Sequence, residues 1–153
     1  MMLDTCAAAV AATTPGGAWL VAAVMWPVVA VLLAIVAGGR HAARITLAAM
    51  PVGLAVAWVI ATRVWEGGAI TYLVGGWAPP LGIALRADGL SAAMMLTTAI
   101  VITGAGLFAH ADFAAKPGEP ETRGSLVFWM LLIAVWGAMN LVVMSRDLFN
   151  LYV

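Results

Sequence analysis

Residues Ser125–Met144 read SLVFWMLLIAVWGAMNLVVM, twenty positions without a charged side chain. The hydrocarbon core of a bilayer is about 30 Å thick, and a helix needs roughly twenty residues to cross it. Inside lipid every backbone N–H and C=O must be paired within the protein, and a helix does this unaided. The stretch is therefore read as a transmembrane helix. Three more segments pass the same test, from about Gly17 to Ala37, Ile45 to Val64 and Leu90 to Ala109. The fold class that follows is an all-α integral membrane protein with four complete transmembrane helices. Pro27 and Pro51 fall inside two of them. Membrane helices tolerate this when a neighbour satisfies the carbonyl that proline leaves free.

Composition agrees with the segments. Of 153 residues 65% are hydrophobic and 9% are charged, against about 25% charged in an ordinary soluble domain. Too few charges remain to hydrate a surface, so the outer faces belong to lipid. The formal net charge is zero, which gives no attraction for nucleic acid. Cys6 stands alone and forms no intrachain disulfide; with the distant His41 and His110 it makes no metal site. No cofactor is implied. Met1 to Pro15 holds no Lys or Arg, whereas a cleaved leader begins with a basic region. The first helix is read as retained.

Between the second and third helices the pattern changes. Ile70-Thr71-Tyr72-Leu73-Val74 and Ile83-Ala84-Leu85 are β-prone, and Gly75, Gly76, Pro79, Pro80 and Gly82 lie between them. This predicts an external β-hairpin over residues 70–86, outside the lipid because an open strand edge is not tolerated within it. Loops at 38–44 and 110–123 hold Arg40, Arg44, Lys116 and Arg123. The other side holds Arg63, Arg86 and Arg146. The slight excess places the first set in the cytoplasm and the N-terminus outside. Trp19, Trp65 and Trp77 then form an aromatic belt at the outer interface. From Asp147 the chain reads Leu148-Phe149-Asn150-Leu151-Tyr152-Val153, the start of a fifth helix, and the whole is expected to be the N-terminal part of a larger subunit.

Candidate sites are few. Gly104-Ala105-Gly106-Leu107-Phe108-Ala109 matches a dinucleotide fingerprint in letters, but that motif opens a helix after a strand. Here it closes a transmembrane helix, so its small residues are read as packing. Gly53 and Ala57 are read in the same way. Asn140 is the one strongly polar side chain deep in the fourth segment. It is read as an interhelical hydrogen-bond donor, with a place beside a hydrated path as the sharper alternative. Thr97, Thr98 and Thr103 can bond to their own helix backbone. No Asp, Glu, Lys or His lies in the middle of a complete helix. A proton path needs such groups near the midplane, and these four helices do not supply one.

Three blocks taken together resemble a known family. They are Tyr72-Leu73-Val74-Gly75-Gly76-Trp77-Ala78-Pro79-Pro80-Leu81-Gly82-Ile83, then Asp88-Gly89-Leu90-Ser91-Ala92, then Arg146-Asp147-Leu148-Phe149-Asn150-Leu151-Tyr152-Val153. The order resembles the N-terminal part of the large antiporter-like subunits of Mrp-type sodium/proton antiporters, the D-type member above all. These are related to membrane-arm subunits of complex I and of membrane-bound hydrogenases. The likeness covers residues 65–153, while the first two helices match only in hydropathy. It implies a proton-translocating subunit of a hetero-oligomeric inner-membrane complex, with protons and sodium as cargo. A redox-driven pump is the variant reading, and a short non-conducting structural subunit is the alternative of another class. The family's glutamate on the fifth helix and its later lysines lie outside this chain, so no catalytic residue carries over. Asp147 opens the fifth helix, where the helix dipole favours a carboxylate. It is read equally as a cap and as an ion-handling group.

Overall fold

The computed structural model describes residues 13–76, 82–112 and 123–145, without the side chains of Gly39, Arg40, Asp112 and Arg123. Four helices carry the chain: α1 (Ala18–Ala37), α2 (Gly39–Gly67), α3 (Gly89–Asp112) and α4 (Arg123–Met144). All four are long and apolar enough to cross a membrane. They run up and down in turn. α1 packs on α2, α2 on α3, α3 on α4 and α4 back on α1, and α2 also meets α4 across the bundle.

The inward stripes explain the packing. α1 buries Leu20, Ala23, Pro27, Ala30 and Ala34, and α3 buries Ala92, Met95, Ala99, Ile102, Gly106 and Ala109. Steps of three and four alternate, which is the spacing of a seam between nearly parallel axes. Most of these side chains are small, which lets helix backbones approach closely where lipid gives no hydrophobic drive between helices. α4 supplies bulk instead: Trp129, Ile133, Trp136 and Met144 are almost fully buried. The outward faces carry Leu33, Val36, Ile100, Phe108 and Leu131, all exposed. In water that surface would be untenable; in a bilayer it is solvated by acyl chains.

Three helices begin and end within a few residues of their sequence-based limits. The second does not. The sequence places a loop over 38–44, but α2 begins at Gly39, so Gly38 alone joins α1 to α2. Its φ of +75° is a conformation glycine adopts without a Cβ clash. Arg40, His41 and Arg44 fall within the first turns of α2, and they do not stop a helix.

The hairpin is present between α2 and α3. β1 (Ile70–Leu73) pairs antiparallel with β2 (Ala84–Ala87), Ile70 facing Ala87 and Leu73 facing Ala84. A short 3-10 turn, Val74–Gly76, leaves β1. Gly75 and Gly76 have φ of +73° and +74°, so this glycine pair is what the turn requires. Residues 77–81, with Trp77 and Pro79, lie outside the described residues, as does the expected fifth-helix start at 147–153. The hairpin does not hang free. Ile70, Leu85 and Ala87 are buried in one cluster with Leu20, Ile60, Val64, Met95 and Met144. It therefore plugs one end of the bundle.

Candidate functional site

At the hairpin end, polar atoms join segments that are far apart in sequence. Both outer edges of the two-stranded sheet are engaged. The Thr14 N–H donates to the Thr71 carbonyl at 3.0 Å, and the Thr71 N–H donates to Thr14 Oγ1 at 2.8 Å. On the other edge Leu85 forms an antiparallel bridge with Ser145, just past α4. Unpaired strand edges invite wrong partners, and covering them removes that risk.

Asp88 and Ser91 continue this clasp. The Ser91 N–H donates to Asp88 Oδ1 at 2.9 Å, the usual service of an N-cap carboxylate to a free amide of the first helical turn. The Ser91 hydroxyl donates to the Val143 carbonyl at 3.0 Å. Val143 sits in the last turn of α4, where carbonyls lack a helical partner. One serine thus ties the start of α3 to the end of α4. The Ser91 N–H above all holds the Asp88 carboxyl below its ordinary range, helped by the Leu90 N–H and the charge of Arg86, with desolvation opposing them. Asp88 is an exposed carboxylate with its negative end at a helix N-terminus, where the dipole favours it. Of the family-motif positions, Gly75, Gly76, Gly82, Asp88 and Ser91 fall on or beside this clasp. Trp77, Pro79, Asp147, Phe149 and Asn150 lie outside the described residues. The bridge to Ser145 brings the residue just before the third block up to the first two.

Asn140 makes the second polar contact. It is 5% exposed, and its Nδ2 donates to the Ala23 carbonyl on α1 at 3.0 Å. That carbonyl has a specific reason to need a donor. In a helix it would accept from the N–H four residues on, and that residue is Pro27, which has none. One turn away the same two helices touch directly: a Cβ at Gly137 would lie 3.1 Å from the Pro27 ring. Pro27, Gly137 and Asn140 form one interlocked contact, and the interhelical-bond reading of Asn140 is the observed one. Sequence reasoning marked Pro27 and Asn140 separately. The offset of four from Pro27 to Ala23 could have named the acceptor, but not the donor 117 residues away.

Two of the marked threonines bond to their own helix. Thr97 and Thr103 donate to the carbonyls of Ala93 and Ala99, at 2.8 and 2.7 Å. Gly53 lies against the Trp136 ring so closely that any Cβ there would overlap it, and Ala57 is buried in the same cluster. Gly106 accommodates the end of Met50, so the glycine-rich letters of α3 serve packing. Two buried donors carry no signal in the sequence. Thr46 Oγ1 and Trp136 Nε1 have no hydrogen-bond partner among the described residues. By contrast, Trp26 Nε1 donates to the Ala49 carbonyl at 2.9 Å.

Among the described residues the buried polar side chains other than tryptophan are Thr46, Ser125 and Asn140, none ionisable. No His, Cys, Asp and Glu side chains gather there at metal-binding distance. Such an arrangement can anchor, seal and position helices, but it offers no group that takes up and passes on a proton.

No family model matches the chain. Among curated proteins it is similar to the D subunit of the Na(+)/H(+) antiporter of Bacillus subtilis (strain 168), 33% identical over 106 residues. The chain is a partial homologue of that antiporter subunit. The matched part is 69% of this chain and 20% of the relative, so the chain spans about one fifth of the length of the curated relative it matches. Together with four apolar helices, this relation makes it a multi-pass membrane protein.

Proposed function

We propose that the chain forms the N-terminal helices of a proton-translocating subunit in a multisubunit monovalent cation/proton antiporter. The similarity to the Bacillus antiporter protein over 106 residues carries this reading. Protons and sodium are the cargo, other membrane subunits are the partners, and the plasma membrane is the site. Within that larger protein these four helices are a scaffold. Their interior holds no ionisable side chain among the described residues, and a relay through lipid needs ionisable or strongly hydrated groups. Ion-handling groups belong to helices beyond this chain, positioned by the clasp at Asp88, Ser91 and Ser145.

The N-terminus lies outside, with 110–123 in the cytoplasm. Cysteines placed in 110–123 should resist an impermeant thiol reagent applied to intact cells; external labelling would reverse the topology. The second reading, a structural subunit that conducts nothing, is favoured by the same lack of interior charge. Everted membrane vesicles separate the two. In vesicles holding the assembled complex, a sodium pulse should drive proton movement that disappears when the coding region of this chain is disrupted. Proton movement unchanged by the disruption would remove the antiporter reading.

A further inference from the structure

The last turns of α2 end beside a groove that borders the Thr14–Thr71 contact. Its volume is about 370 Å³, and its walls are Thr14, Arg63, Glu66, Gly67, Gly68 and Ile70 among others. α2 has 29 residues, so it is about 43 Å long at 1.5 Å per residue. A hydrocarbon core is about 30 Å thick, and about 40–45 Å with the headgroup layers. The final turns of α2 therefore stand at headgroup depth on the hairpin side. Trp65 is 92% exposed and Trp19 is 38% exposed, and both lie on that side. An indole with an apolar ring and one N–H donor is stable at that boundary.

Arg63 and Glu66 are exposed and one helical turn apart, so opposite charges open on one small groove. Neither is ion-paired among the described residues. The guanidinium presents a planar fork of donors that matches a phosphate. The carboxylate accepts hydrogen bonds and matches a primary ammonium. Gly67 and Gly68 add no side chains to the wall. We propose that this groove binds the headgroup of a zwitterionic phospholipid of the bilayer with a primary ammonium, phosphate on Arg63 and ammonium on Glu66. An anionic headgroup would satisfy Arg63 and be repelled by Glu66. A quaternary ammonium would offer Glu66 no N–H. The acyl chains then run down the apolar outer face of α2, where Trp58 is 61% exposed. This inference does not depend on the antiporter reading.

The test uses the complete protein in mild detergent, incubated with equal amounts of phosphatidylethanolamine, phosphatidylcholine and phosphatidylglycerol, with bound lipid counted by native mass spectrometry. The expected result is enrichment of phosphatidylethanolamine over both others. Arg63→Gln should lose that enrichment. Glu66→Gln should lose the preference over phosphatidylglycerol while keeping phospholipid binding. Both side chains are exposed, so the helical circular-dichroism signal should stay at the wild-type level. A second arm adds inorganic phosphate in large excess, which should leave the lipid in place. Equal retention of the three lipids would overturn the proposal. So would enrichment unchanged in both variants, or displacement by free phosphate.

Discussion

The hairpin end and the bundle interior are built by different means. At the hairpin end, polar bonds join distant segments: Thr14 to Thr71, Ser91 to Val143, Leu85 to Ser145. In the interior, shape does the work. Gly53 receives Trp136, Gly106 receives Met50, and Gly137 lies on Pro27. The polar bond from Asn140 that crosses between α4 and α1 answers the carbonyl that Pro27 leaves open. Asp88 in the first region is exposed, whereas Trp136 and Asn140 in the second are buried, so only the first can use charge at little cost. The described motif residues Gly75, Gly76, Gly82, Asp88 and Ser91 lie at or beside the hairpin end, where Asp88 and Ser91 tie helix ends together.

The comparison breaks first at Gly53. Replacing it with leucine puts a side chain into the Trp136 ring, and overpacking of this kind costs about 3 kcal/mol. Chemical denaturation in detergent should show that loss, or no folded protein at all. A near-neutral Gly53→Leu would mean that interior shape is not the organising force.

Next comes Asn140. Replacing it with leucine leaves the Ala23 carbonyl unanswered, and interhelical bonds in membranes reach about 1.7 kcal/mol. The sharper version is a double-mutant cycle. Pro27→Ala restores an N–H to the helix, so the Ala23 carbonyl gains its own partner. Asn140→Leu should then cost much less in the Pro27→Ala background. Equal costs in both backgrounds would refute the link between proline and asparagine.

The hairpin end should respond to pH and the interior should not. Asp88→Ala removes a cap, at about 1 kcal/mol. The folded pKa of Asp88 is lowered, below the unfolded value of about 3.9. Its contribution is therefore fully present above that value and lost as pH falls through the folded pKa. Wild type should lose this increment below about pH 4, and Asp88→Ala should lack that part of the acid sensitivity. An identical acid profile in the two would contradict the assignment.

The smallest effect has the opposite sign. Thr46 keeps a buried hydroxyl without a partner among the described residues. Thr46→Val keeps the shape and removes the orphaned group, so stability should rise by up to about 1 kcal/mol. A loss would show that the hydroxyl has a role that these residues do not reveal.

Much of the fold is legible in the sequence because lipid simplifies the reading. An uncharged run of about twenty residues has few other fates, and α1, α3 and α4 fall close to their expected limits. The start of α2 is not legible, because Arg40, His41 and Arg44 look like loop residues. Charged residues do not by themselves end a helix, and α2 runs through them. The hairpin is legible from Gly75, Gly76 and the β-prone runs around them. Its seating on Leu20, Val64 and Met144 is not, because strands of four residues with burial on uneven positions give no clean alternation. At the candidate site, Asp88 and Ser91 stand out in sequence only within a motif block, and the bond from Ser91 to Val143 spans 52 residues. No local pattern encodes such a contact.

The central claim is that these four helices are a scaffold without a proton path of their own. The direct measurement is proton flux into proteoliposomes that hold purified chain 1–153, followed by an internal pH-sensitive dye under an imposed gradient. The account predicts flux equal to that of empty vesicles, with and without sodium. A robust flux that saturates with proton concentration would contradict it.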